Sequence, residues 1–349
     1  MKKYKIGVCG NFNLDKGYLN GQVIRSISIV TEIESKLGRD ALCKVDYTQW
    51  KKKPIQTFYA FVKLLLHSEN VIIFPDLRAI YALVPLGAAL KGITDTKVYY
   101  NVIGGWLPGF LQEHKVIRYW TRKLDGLFVQ TRILTEQLRA IGINKTTIFP
   151  NFKRIKVYTE DKLRLDFVKP YPLVFMSRVT ERKGICELVR IVNKLNQGQP
   201  RFSLDIYGSI ETHFVEQFEK LKKEFTPYIH YKGQVDPLKT SEVMHNYFLH
   251  VFPTTYRTEG YPGSILDALS AGTPTLSARW QSYEDVLTEN KTGISFEMGN
   301  WEELERKFEE IYKNPEIINS MRINCLKEAR NYIPENVINI MLEKINAND

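Results

Sequence analysis

Short apolar runs at residues 4–9, 71–74, 98–102, 126–129 and 146–149 alternate with stretches of helical periodicity such as 23–37 and 111–124. This rhythm limits the fold more than any other feature. Short apolar runs suit strands buried on both faces, and parallel strands need crossover segments, usually helices, between them. The pattern is a βαβ series and predicts an α/β chain with parallel sheet. Residues 151–171 interrupt it with Lys153, Arg154, Lys156, Lys162 and Arg164 between Pro150 and Pro170, and a fresh alternation then runs to about residue 312. At 349 residues the chain has material for two cores of ordinary size. The expected division is 1–155, 170–330, and a tail helix within 331–349, where Val337, Ile338, Met341, Leu342 and Ile345 share one face.

The second half carries the sharpest chemical signal, TTYRTEGYPGSILDALSAGTPTLS over residues 254–277. Glu259 lies in a Gly/Pro-rich loop, and Asp267 follows seven residues later in a helical pattern that begins near Pro262. A helix start offers unpaired backbone N–H groups and the positive end of its dipole, so the N–H groups of Tyr261, Pro262's neighbour Gly263, and Ser264 face an anion such as phosphate. Upstream, the apolar run 173–176 ends in Ser177, Arg178, Val179, Thr180, Glu181, Arg182, Lys183 and Gly184 before a helical stretch over 185–195. That order predicts a strand, a basic loop and a helix. Taken alone, the acids read as ordinary helix capping and the cations as a solvated loop.

Together these segments resemble the family-four retaining glycosyltransferases, of the group 1 type found in bacterial polysaccharide biosynthesis. Their signature is roughly Pro-Ser-x-x-Glu-Gly-x-Pro, a short helix, and Glu-Ala-x-Ala-x-Gly-x-Pro. Here it reads Pro253-Thr254-Thr255, then Glu259-Gly260-Tyr261-Pro262, then Asp267-Ala268-Leu269-Ser270-Ala271-Gly272-Thr273-Pro274, with Asp267 in place of the second Glu. The Arg178/Lys183 loop is similar to the family's Gly-Arg-x4-Lys-Gly, with Ser177 in place of its glycine. Gly208 after 204–207 and the run 231–235 resemble the turn and edge strand that approach the nucleotide, and Pro150-Asn151 resembles the end of the family's first half.

The resemblance implies the GT-B fold, two Rossmann-like parallel-sheet domains facing a central cleft, with the tail helix crossing back to the first. It implies an enzyme that moves a sugar from a UDP-sugar or GDP-sugar to a glycan or lipid-linked acceptor with retention of configuration. In that reading Arg178 and Lys183 clamp the donor diphosphate, Glu259 orients the donor sugar and Asp267 holds ribose. Gly21, after the Gly10-Asn11-Phe12-Asn13 and Gly17-Tyr18-Leu19-Asn20 segments, meets the donor phosphate. Two fixed cations stabilise the charge that grows on the leaving diphosphate, so no metal or other cofactor is required. Where many family members have a His near the reacting sugar, this chain has Gly104-Gly105-Trp106, and His114 downstream is given no role. A nucleotide-sugar epimerase or hydrolase of the same fold, or a non-catalytic sugar-binding relative, stays open as an alternative.

Composition narrows the setting. Cys9, Cys43, Cys186 and Cys325 show neither CxxC spacing nor paired His ligands, which argues against a disulfide framework or a structural zinc. The N-terminal apolar run is cut short by glycine and asparagine, and no run reaches the length of a spanning helix, so a cytoplasmic protein is expected. The formal net charge of +10 suits anionic partners. Basic and aromatic residues interleave at Trp50-Lys51-Lys52-Lys53 with Phe58, Tyr59 and Phe61, and again over 115–123. Such stretches suit peripheral contact with an anionic membrane surface. Nucleic acid is disfavoured: there is no RNP-type aromatic motif, KH loop or zinc-finger spacing.

Overall fold

A computed structural model describes residues 3–12 and 21–347. The chain divides into two compact units, residues 1–151 with 334–349, and residues 152–333. The first contains strands β1 (Tyr4–Gly10), β2 (Leu42–Asp46), β3 (Ser68–Phe74), β4 (Lys97–Asn101), β5 (Gly126–Val129) and β6 (Thr146–Ile148). They form one parallel sheet in the order β2-β1-β3-β4-β5-β6. Its crossovers include helices α1 (Gly21–Leu37), α2 (Pro54–His67), α3 (Ile80–Thr94), α4 (Leu107–Glu113), α5 (Lys115–Lys123) and α6 (Arg132–Ala140).

The second unit repeats the theme with β7 (Tyr171–Met176), α7 (Ile185–Leu195), β8 (Phe202–Tyr207), α8 (Val215–Lys222), β9 (Ile229–Gly233), α9 (Thr240–Met244) and β10 (Leu249–Phe252). After these come α10 (Gly263–Ser270), β11 (Thr275–Arg279), β12 (Gly293–Glu297), α11 (Trp301–Lys313) and α12 (Glu316–Ala329). The sheet is again fully parallel, ordered β12-β11-β10-β7-β8-β9. Both sheets have near-continuous buried strands, with Val71, Ile72 and Ile73 in the first and Leu173, Val174 and Phe175 in the second fully covered. This is the signature of helices on both faces. Helix α13 (Pro334–Asn346) belongs to the first unit, where it lies against α1 and buries Val337, Ile338, Met341 and Ile345, with Leu342 half-buried.

The one helix expected over 111–124 is two helices in the structure. His114 leaves the helical region (φ −108°, ψ 74°), and its ring stacks on Phe110 with centroids 4.0 Å apart. The apolar period reads through the break because both helices turn buried residues, Leu111 and Ile117, to the same core.

Strand order decides where a ligand can enter. In the second unit the chain runs outward from β7 through β8 to β9, then returns to β10 on the other side of β7 and continues to β12. The loops after β7 and β10 therefore diverge at the carboxyl ends of adjacent strands. Open parallel sheets bind their ligands at such a switch point.

Candidate active site at the switch point of the second sheet

Both charged segments picked out from the sequence emerge at this switch point. The loop after β7 carries Arg178, passes through a short 3-10 turn at Glu181–Lys183, and enters α7 through Gly184. Gly184 is left-handed (φ 72°), and a Cβ there would sit 2.1 Å from the Pro253 carbonyl oxygen. No other residue fits so close an approach. The loop after β10 is fastened alongside: Thr255 N–H donates to the Arg182 carbonyl at 2.9 Å, and the Thr255 hydroxyl donates to the same oxygen at 3.2 Å.

This fastening brings Lys183 and Glu259 together. The buried Lys183 ammonium is ion-paired with Glu259 Oε1, and the Thr254 hydroxyl donates to that same carboxylate oxygen at 3.2 Å. Lys183 Nζ also lies 5.0 Å from the centre of the Phe252 ring, over its face. Arg178 is mostly exposed and pairs with Glu211 at 2.6 Å. Glu211 is held by the loop after β8, whose backbone zips to the β7 loop through Val179 N–H to Ser209 O at 2.8 Å and Glu211 N–H to Val179 O at 3.1 Å. Both predicted cations thus stand at the end of β7, each neutralised by a carboxylate from a neighbouring loop.

Gly208 makes that junction possible. Its φ is 138°, and a Cβ would fall 1.7 Å from the Ser177 carbonyl oxygen. Its N–H donates to the Gly233 carbonyl, and its own carbonyl accepts from the Tyr231 hydroxyl, each at 2.8 Å. Its backbone is fully engaged in joining the ends of β7, β8 and β9.

Helix α10 starts at Gly263 with Pro262 before it, and no side chain caps it. Proline's fixed φ suits this place, and the first-turn N–H groups, Gly263 and Ser264 among them, have no acceptor within the helix. Tyr261 turns inward and packs on Tyr332, ring centroids 5.1 Å apart, so only its backbone belongs to the loop's outer face. Asp267 is buried one turn on. Lys153 Nζ reaches its two oxygens at 2.6 and 2.7 Å, and the Thr240 hydroxyl donates to Oδ1 at 2.7 Å. The sequence marked Lys153 only as part of a basic break. Nothing in one chain's sequence signals a pair 114 positions apart.

Arg322 on α12 also escaped the sequence reading. Its buried guanidinium donates to the carbonyls of Gly272 at 3.0 Å and Phe248 at 2.6 Å, and it props the entrance to β10 and the exit from α10. Burial lowers its pKa to about 10. His250, inside β10, is fully buried, its Nδ1 lies 3.1 Å from the Thr275 hydroxyl, and burial lowers its pKa to about 3, so it is neutral. A separate cavity of about 860 Å³ opens beyond the ends of β11 and β12, lined by Arg257, Arg279, Tyr283, Glu289 and Ser295 among others. Neither Lys183 nor Glu259 lines it.

In the first unit Gly21 is the first residue of α1 and exposed, and a Cβ at that position would have no atom of the described residues within 4 Å. The rest of the segment singled out before it, Asn13 and Gly17 to Asn20, lies outside the described residues. Trp106 of the Gly104-Gly105-Trp106 turn folds its indole back to donate to the Ile103 carbonyl at 3.1 Å. Among the described residues no cluster of three or more His, Cys, Asp or Glu side chains is arranged to hold a metal ion.

Residues 159–332 match the family model for glycosyl transferases group 1. The chain belongs to this family. It is 23% identical over 214 residues to a Methanocaldococcus jannaschii protein named as the uncharacterized glycosyltransferase MJ1069, covering 60% of this chain and 50% of that one. The chain thus spans about half the length of that curated relative. Among solved structures it is similar to Anabaena Alr3699/HepE in complex with UDP, with a TM-score of 0.78 at 13% identity over 98% of this chain and 100% of the other. The apo lipopolysaccharide outer core galactosyltransferase WaaB matches with a TM-score of 0.71 at 13% identity, covering 99% and 100% of the two chains. The fold of this glycosyl transferase is GT-B, with two Rossmann-like parallel-sheet units.

Proposed function

We propose that this glycosyl transferase moves a sugar from a nucleoside-diphosphate sugar, UDP-linked or GDP-linked, to a glycan or lipid-linked acceptor with retention of configuration, in capsule, lipopolysaccharide or exopolysaccharide assembly. The observation that carries the reading is the Lys183–Glu259 pair at the β7/β10 switch point. A buried cation beside a half-buried acid, next to an uncapped helix start, suits a ligand that is anionic at one end and polyhydroxylated at the other. The UDP complex and the UDP-glucose complex of the similar HepE structures support a UDP-sugar in that place.

When donor binds, the diphosphate takes over Lys183 and Arg178 from their carboxylate partners, and the N–H groups at Gly263 and Ser264 meet its oxygens. Glu259, released from Lys183, accepts from hydroxyls of the donor sugar. Asp267 keeps one acceptor position on Oδ2 for a ribose hydroxyl, since Lys153 and Thr240 occupy the rest. As the glycosidic bond breaks, negative charge grows on the leaving diphosphate, and Lys183 and Arg178 stabilise it. The acceptor hydroxyl attacks from the same face, and its proton passes to the departing phosphate oxygen. The chemistry calls for no metal, and the first unit binds the acceptor.

Two measurements test this. Lys183→Ala is expected to lower turnover on the order of 10²- to 10³-fold with folding intact, and an unchanged rate removes the clamp from the mechanism. Thermal unfolding against UDP, GDP, ADP and CMP is expected to show selective stabilisation by one nucleoside diphosphate, by about 2.7 kcal/mol at about 100 times its dissociation constant. No shift with any of them would reject the donor site.

A further inference from the structure

Helix α2 is apolar on the wrong side. Its core face, Phe61, Leu64 and Leu65, is buried in the first unit. Its solvent face is equally apolar: Ile55 is 84% exposed, Phe58 51%, Tyr59 67% and Leu66 52%, with the half-buried Val62 between them. Steps of three, four and seven residues place these five on one continuous stripe along the outside of the helix. Trp50, Leu77 and Tyr81, all exposed, extend the patch over the neighbouring start of α3. Between α2 and α3 lies an apolar groove of about 150 Å³ lined by Trp50, Phe58, Ala82, Leu83 and Leu86, with Arg78 at its side. A contiguous exposed patch of this kind marks a contact surface.

Charge selects the partner. No Asp or Glu occurs between Tyr47 and Ser68, whereas Lys51, Lys52, Lys53 and Lys63 do, and all four lysines are exposed. Asp46 at one edge is turned inward, accepting from the Thr48 N–H at 2.8 Å. Asp76 is spent on the N–H groups of Arg78 and Ala79 at the start of α3. A second copy of the chain would bring the same lysines to the contact, so like charges would meet. An anionic bilayer supplies the opposite charge to the lysines and an apolar layer to the stripe.

We propose that α2, with the start of α3, docks the first unit on an anionic phospholipid surface: Lys51 to Lys53 sit among the headgroups, and Ile55, Phe58, Tyr59 and Leu66 enter the acyl boundary. The groove takes a short stretch of one acyl chain. This adds a partner to the transferase reading and does not depend on the donor site. In co-sedimentation, the full chain is expected to bind vesicles containing phosphatidylglycerol and not pure phosphatidylcholine, with binding weakened by salt as the Debye length shrinks. Replacing Lys51, Lys52 and Lys53 with Gln is expected to weaken it on the order of 100-fold. Ile55→Ser with Tyr59→Ser is expected to weaken it at least about 10-fold with the melting temperature unchanged, since both side chains are already in water. Full binding by that double variant, or equal binding to both vesicle types, would overturn the proposal. So would a concentration-dependent dimer that the same variant abolishes. Should the double variant melt early, the Lys variant alone decides. UDP stabilisation read on the same samples separates the two ideas: vesicle binding without any nucleotide shift would sink the donor site and leave the docking surface standing.

Discussion

The two units share one plan and use their surfaces in opposite ways. Each has six parallel strands with helices on both faces, yet the second commits its charged loop residues to pairs: Arg178 with Glu211, Lys183 with Glu259, Lys153 with Asp267. The first leaves large apolar side chains in water. Eleven of the sixteen most exposed ones among the described residues, from Trp50 to Ile148, belong to it. The difference teaches that the sheet sets where loops end, and the loops decide what is recognised. In the second unit they converge and are locked by close backbone contact. In the first, the outer face of α2 contributes nothing to its own core.

If that contrast holds, damage should be graded by unit. The largest effect is expected at Gly208, where alanine meets both an unfavourable φ and the Ser177 carbonyl; the loss should be about 3 kcal/mol or more in denaturant unfolding. Asp267→Ala strands the Lys153 ammonium, and because that side chain keeps 21% of its exposure the expected cost is about 2–3 kcal/mol, somewhat below that of breaking a fully buried pair. Lys153→Met together with Asp267→Leu should restore part of it, and failure to do so would mean that the pair is not what the site loses.

A pH titration probes the same unit more gently. His250 has a folded pKa lowered from 6.5 to about 3, so below pH 6.5 the unfolded chain takes up a proton that the folded chain refuses. Stability contributed by the neutral ring is present above pH 6.5 and falls as the pH drops towards 3, by at most about 1.4 kcal/mol per unit. Removing the titrating group by His250→Val should flatten that slope, and an unchanged slope would assign it to other groups. The smallest effect is expected on α2, where Ile55→Ser should change stability by no more than about 0.5 kcal/mol. A large loss there would erase the contrast, because it would show that the apolar stripe supports its own unit.

Legibility in the sequence followed the same division. Residues 126–129 and 185–195 were readable to the residue, and the other strand expectations fall within a few positions of β1, β3, β4, β6, β7 and β8. Local apolar period and glycine punctuation carry that information. β2 was not seen, because Leu42-Cys43-Lys44-Val45-Asp46 lies at an edge and half its positions face outward. At the candidate site, Arg178, Lys183, Glu259 and Asp267 were singled out by their spacing together with the family resemblance. Their partners Glu211, Thr240 and Lys153 were not, and neither was Arg322, which braces the Gly272 and Phe248 carbonyls, since each comes from a distant segment, placed there only by the folded sheet.

Helix α13 follows the second unit in the chain but completes the first. Residues 152–333 are therefore an insertion within a unit whose two parts are made at different times. During synthesis the second unit has all its strands before α13 exists, so it can reach its native form while the surface of α1 that α13 covers is still bare. Order of completion then reverses the order of the chain: the half that begins first finishes last, and through that interval the part of α1 that meets α13 waits for its cover.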